Sequence, residues 1–301
     1  MGDKATLEGE LQLNWSGGLN EKWRQTFEAA FDREFAIHVG LRQAASSALP
    51  AAGQTPTWDV LIGSAEQAGD LARGGLLARQ EWSKLFGAPA QAVLFDGGSL
   101  AFAQQIVRPA YNTKRVPQGT APASWEGLLE ARWKGRLGVS SAVDVWADLS
   151  SSWGDQRASR FVAGLAAQQP LKGTPSELEQ KLEDGAIDVL AAVDDRRLRA
   201  AKDRAAAVAA AEVQPLLLQS LTASPLPASA HPNAAILFAG FLITQEGQQL
   251  WQDYAGQSSI HVPGSPSQQL VQGKQYVLAD PEFVLRDRPA RAAKYAKTLG
   301  Y

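Results

Sequence analysis

Trp58-Asp59-Val60-Leu61-Ile62-Gly63-Ser64 is a short, nearly continuous apolar run closed by a glycine and a serine. A strand that is apolar without alternation is buried on both faces, the condition of a parallel sheet, and the Gly-Ser pair that ends it leads into a helix. Upstream, Leu11, Leu13 and Trp15 alternate with Gln12 and Asn14, the period of a half-buried strand, until Ser16-Gly17-Gly18 breaks it. Between the two strands, Trp23, Phe27, Ala30, Phe31 and Phe35 recur at three- and four-residue steps and form one apolar helix face. Residues 37–39 look like a further strand, so the chain opens as alternating β and α elements and is an α/β protein.

The alternation continues. Residues 93–95 and 100–107 supply strands, Pro109-Ala-Tyr-Asn-Thr113 interrupts them, and 117–122 reads as a linker. Beyond it come a strand at 137–140, helical stretches to about 168, and a helix opened by Thr174, Pro175 and Glu177, a capping box with proline at the first helical position. Residues 187–193 form a buried strand, 196–211 an Ala-rich helix, and 213–221 a strand returning to the first lobe. Pro232 opens a helix with Ala234, Leu237, Phe238, Phe241 and Leu242 on one face, continued after a break by 246–254. The tail from Ser258 reads as loops over the first lobe. The order places lobe 1 at 1–107 plus 223–301 and an inserted lobe 2 at 108–222.

Composition narrows the function. A chain of 301 residues is long for one core. A net charge of −2 with interleaved signs offers no basic stripe for nucleic acid, and the apolar run at 234–243 falls short of a membrane span. The absence of cysteine excludes disulfides and thiolate chemistry. The start Met-Gly-Asp-Lys-Ala-Thr shows no basic segment followed by an apolar stretch, which leaves a cytoplasmic protein and a mature exported domain both open. No Walker loop, GxGxxG, GxSxG or HExxH occurs, so the sequence gives no sign of catalysis.

Ala230-His-Pro-Asn-Ala-Ala-Ile-Leu-Phe-Ala-Gly-Phe-Leu-Ile-Thr-Gln-Glu-Gly-Gln248 resembles the signature helix of bacterial extracellular solute-binding proteins of the iron(III), thiamine, polyamine and phosphonate group. Tyr111-Asn-Thr113, Ala121-Pro122 with Ser124-Trp-Glu-Gly-Leu128, and Arg132-Trp-Lys-Gly-Arg-Leu-Gly-Val139 are similar to the hinge and second-lobe entry of that group. The resemblance implies a type II periplasmic binding protein: two Rossmann-like lobes joined by a two-strand hinge that close on a small molecule. It also implies a periplasmic or extracellular protein that delivers its ligand to the permease of an ABC transporter; a monomer with no cofactor and no metal is expected. Ferric-ion members carry adjacent tyrosines after the strand matching residues 187–193, where this chain has Asp194-Asp195-Arg196-Arg197. Guanidinium groups suit a carboxylate, phosphonate or sulfate, so an anionic or zwitterionic organic solute is expected. An enzyme or a sensory module on the same scaffold, and a ferric-ion binder lacking the tyrosine pair, are the alternatives.

Candidate ligand residues follow from their places after strands. They are Ser16, Gly17 and Gly18, Ser64, Ser140 and Ser141, Trp146, and Asp194, Arg196 and Arg197. Each has a plainer reading: a tight turn at 16–18, a helix cap at Ser64 and Asp194, packing for Trp146 among nine tryptophans, and a solvated face for the arginines. Adjacent helical residues diverge by about 100°, so one of Arg196 and Arg197 is expected to face the site. Trp15 and Trp146 are expected near the cleft mouth, reporting ligand by fluorescence, while His38, His231 and His261 are too scattered to bind a metal.

Overall fold

The computed structural model describes residues 2–15, 20–45, 54–117 and 119–301. These form two compact units, Met1–Gln104 with Ser220–Leu270, and Gln105–Gln219 with Val271–Tyr301. Among the described residues no helix is long and apolar enough to cross a membrane.

The first unit begins α1 (Gly2–Glu8), β1 (Glu10–Trp15), α2 (Glu21–Phe35), β2 (Gly40–Gln43), β3 (Val60–Ser64), α3 (Ala65–Arg73), α4 (Trp82–Phe86) and β4 (Val93–Leu94). It then enters β5 (Ser99–Asn112), within which the chain crosses to the second unit. β1 pairs in parallel with β2 and with β3, as the apolar run at Val60 requires. Asn20 caps α2 by accepting from the Trp23 N–H at 2.8 Å. The face read from the sequence is the buried one: Phe27 meets Phe238 and Phe241 at ring distances of 5.5 and 5.2 Å.

The second unit contains β6 (Leu137–Ser140), α5 (Asp144–Trp153), α6 (Asp155–Ala167), β7 (Leu171–Gly173), α7 (Pro175–Glu183), β8 (Val189–Asp194), α8 (Asp195–Asp203) and β9 (Val208–Ala210). β10 (Leu216–Pro225) carries the chain back to the first unit, where it runs antiparallel to β3. There α9 (Pro232–Phe241) and α10 (Gln245–Ala255) follow, then α11 (Pro266–Val271). β11 (Tyr276–Leu278), α12 (Pro281–Arg286) and α13 (Arg288–Leu299) complete the second unit. β6 pairs in parallel with β7 and with β8, while β5 runs antiparallel to β8. The capping box at α7 is formed as read: the Thr174 N–H donates to the Glu177 carboxylate at 2.8 Å, and the Glu177 N–H donates to the Thr174 hydroxyl at 3.3 Å.

Several sequence readings change, among them the strand read at 37–39, which lies at Gly40–Gln43. β5 does not stop at Pro109: it continues to Asn112, absorbing the proline at a register shift between Arg108 and Ala110. The Ala-rich helix ends at Asp203, and 208–210 pair with β5 instead. The tail from Ser258, read as loops over lobe 1, instead carries α11, β11, α12 and α13, and from Val271 it belongs to the second unit. Tyr295 donates to Asp155 at 2.9 Å and Arg291 to the Ser150 hydroxyl at 2.9 Å, so α13 is bound to α5 and α6 by partners about 140 residues away.

In the first unit, the loop after α10 is built on side-chain hydrogen bonds: Gln104 accepts from the Ile260 N–H at 2.7 Å and Gln248 from the Ser259 N–H at 2.7 Å. His261 lies in that loop, and burial pushes its pKa below the ordinary 6.5. The unfolded chain therefore takes up this proton first, so the contribution to stability is present above about pH 6.5 and is lost as pH falls from there toward the lower folded value. Urea unfolding is expected to show stability declining as pH falls below about 6.5. His261→Gln should flatten that component, and an unchanged slope would contradict the assignment.

Candidate functional site

Parallel pairing puts the carboxyl ends of β1, β2 and β3 on one edge of the first unit, and those of β6, β7 and β8 on one edge of the second. In the first unit that edge carries Trp15, Gln43 and Ser64, and the Gln43 side chain donates to the Trp15 carbonyl at 3.0 Å. Ser16, Gly17 and Gly18 lie outside the described residues. Ser64 is the N-cap of α3: its hydroxyl accepts from the Gln67 N–H at 3.3 Å, and its own N–H donates to Gln67 at 2.9 Å. Its capping role is formed, which uses one of the hydroxyl's two lone pairs.

In the second unit, Ser140 ends β6 and is buried, and Ser141 is exposed beyond it. The Ser141 N–H donates to the Gly173 carbonyl at 3.0 Å, which ties this turn to the end of β7. α5 then begins without any side-chain cap hydrogen bond, so its first turn presents backbone donors beside the two serines. Trp146, in that same turn, points inward. It is 1% exposed and packs on Trp125 and Phe161 at 5.9 and 5.6 Å, because α5 is covered by α6 and α13. Its ring has no exposed face for a ligand, so fluorescence from Trp146 reports the core and not a cleft mouth. Trp15 is likewise enclosed, by Trp23, Trp251 and Tyr254.

The end of β8 separates the two arginines. Asp194 caps α8 by accepting from the Arg197 N–H at 2.9 Å, and Asp195 accepts from the Arg196 N–H at 3.0 Å. The Arg197 guanidinium turns back onto its own unit, reaching Glu179 at 2.6 Å, Asp194 at 3.1 Å and the Ser176 hydroxyl at 3.3 Å. Burial pushes the Glu179 carboxyl above its ordinary range, and Arg197 pulls it the other way, as a structural ion pair does. Arg196 is exposed, and its guanidinium has no partner among the described residues. One cation is therefore committed to structure, and the other is available.

The sequence reading missed Tyr301. Its hydroxyl accepts from the Gly173 N–H at 3.1 Å and donates to the Val139 carbonyl, at the joined ends of β6 and β7. Nothing local in the sequence marks that residue, because α13 alone delivers it there. Among the described residues, no three His, Asp or Glu side chains gather at a metal-binding distance.

No protein-family model matches the chain, and no curated protein matches it in sequence. Solved structures do. Iron-bound HitA from Pseudomonas aeruginosa is 19% identical with a TM-score of 0.76, covering 97% of this chain and 99% of that one. The Trichodesmium protein IdiA (FutA), solved with iron and citrate, is 16% identical with a TM-score of 0.77, covering 97% and 100%. An ABC transporter substrate-binding protein from Bradyrhizobium japonicum is 15% identical with a TM-score of 0.76, covering 97% and 99%. The chain has the type II periplasmic binding fold that its sequence motifs implied.

Proposed function

We propose that this protein is the solute-capturing component of an ABC importer, working outside the cytoplasmic membrane as a monomer and handing a small oxyanion-bearing solute to a membrane permease. The fold supports capture, since one similar structure is described as an ABC transporter substrate-binding protein and another is iron-bound. The observation that carries the ligand class is Arg196: an exposed guanidinium without a partner among the described residues, just past the end of β8, in the unit whose β6 end carries Ser140, Ser141 and the uncapped start of α5. A planar guanidinium and helix N–H groups only donate, serine hydroxyls can donate beside them, and together they match a carboxylate, phosphonate or sulfate.

A second reading has its own support. The Trichodesmium protein was solved with iron and citrate together, so an iron–carboxylate complex, its metal held through the anion, fits the same donors. Both readings place an oxyanion against Arg196.

Thermal-shift and calorimetric titration with citrate, sulfate, 2-aminoethylphosphonate and ferric citrate tests this. At least one is expected to stabilise the protein, and Arg196→Ala should weaken that ligand about 10- to 100-fold, the loss of one charge-assisted pair. Stabilisation by free ferric ion with none by any anion would overturn the ligand assignment.

A further inference from the structure

We infer that the hydroxyl of Tyr301 is a positioning group for the ligand rim of the second unit, setting where Ser140 and Ser141 stand without touching the solute. This rests on the anion-binding reading above. β6 and β7 end side by side, Ser140 opposite Gly173, and their last paired residues lead directly into the Ser140-Ser141 turn and the Thr174 cap. The Tyr301 hydroxyl sits at that point, accepting from the Gly173 N–H at 3.1 Å, donating to the Val139 carbonyl, and lying 3.3 Å from the Gly173 carbonyl. That last carbonyl is the one accepting from the Ser141 N–H. One phenol oxygen thus joins the residue before Ser140 to the residue that anchors Ser141.

The delivery is specific. α13 ends at Leu299, and its C-cap Gly300, with a left-handed φ of 78°, turns the chain so that Tyr301 reaches back to the strands. A side chain at Gly300 would meet the Lys172 ammonium, 2.5 Å from the position of its Cβ. A parallel strand pair three or four residues long has few ladder bonds of its own, so one side-chain bridge at its open end has leverage on the turn that follows. Burial pushes the Tyr301 pKa upward, which keeps the phenol protonated and able to donate.

Tyr301→Phe removes only this oxygen. Tyr295→Phe, on the same helix, removes a hydroxyl bonded to Asp155 and serves as the structural comparison. Amide hydrogen exchange on the ligand-free protein should rise about tenfold at Ser141 and Gly173 in Tyr301→Phe and stay at the wild-type level in β8. Affinity for whichever of citrate, sulfate, 2-aminoethylphosphonate or ferric citrate stabilises the wild type should fall about 5- to 10-fold, at a temperature where every variant is folded. Tyr295→Phe should lower the melting temperature and leave that affinity alone. Unchanged exchange at Ser141 and Gly173, or equal affinity losses in the two variants, would overturn the inference. If the wild type binds none of these anions, the anion reading fails and the ligand role of Tyr301 fails with it, while the exchange data still decide whether the hydroxyl orders the turn.

Discussion

Gly247→Ala is expected to lower the stability of the first unit by about 3 kcal/mol or more, the upper end of the overpacking range. Gly247 is the third residue of α10, just after the corner where the chain leaves α9, and its N–H donates to the Thr244 hydroxyl at 3.1 Å. A Cβ there would lie 1.9 Å from the Phe241 carbonyl oxygen, 2.8 Å from its carbon and 3.0 Å from the Leu242 Cα. All three are backbone atoms, and the corner cannot retreat. The Phe241 carbonyl is already an acceptor for both the Thr244 N–H at 3.0 Å and the Thr244 hydroxyl at 2.8 Å. The next residue, Gln248, is buried with its amide donating at 2.8 Å to Phe102 and at 2.6 Å to Leu242, so a shift of α10 breaks further bonds. The melting temperature should fall by about 10 °C. A change of less than about 2 °C would show that the corner is softer than its geometry says.

Asp59→Ala should cost about 3–5 kcal/mol, read by urea unfolding, because it strands donors in the interior. The Asp59 carboxylate is 1% exposed and accepts from the Gln12 N–H at 2.6 Å and the His231 N–H at 3.1 Å, with His231 Nδ1 at 3.0 Å. It therefore fastens β1 to the start of α9. Glu8 completes the same joint, accepting from the Ala234 N–H at 2.7 Å. Asp59→Asn, which keeps the shape and one carbonyl acceptor, should lose about half as much. A cost under about 1 kcal/mol for the alanine variant would mean that water replaces the carboxylate.

These two sites show why the 230–248 stretch was recognisable before its purpose was. His231, Gly247 and Gln248 are fixed by partners at Asp59, Phe241, Phe102 and Ser259, and sequence spacing does not reveal which groups the fold brings to them. Strands β3, β6 and β8 and the α7 cap were legible because apolar runs and capping residues act within a few neighbours. Pro109 misled for the opposite reason: a proline argues against a strand unless the ladder is irregular there, and that irregularity is a property of the pairing.

The sequence by itself determined the alternating α/β order, the elements whose carboxyl ends carry Ser64, Ser140 and Asp194, and the pair of adjacent arginines that follows the last of them. Tertiary structure alone decided that Arg197 is spent on Glu179 while Arg196 has no partner among the described residues, that Trp146 is core, and that Tyr301 closes the β6–β7 end. The division follows from range. Backbone preference and apolar period are written into adjacent residues, whereas the partner of a charge or a hydroxyl is chosen by whatever the folded chain brings to it.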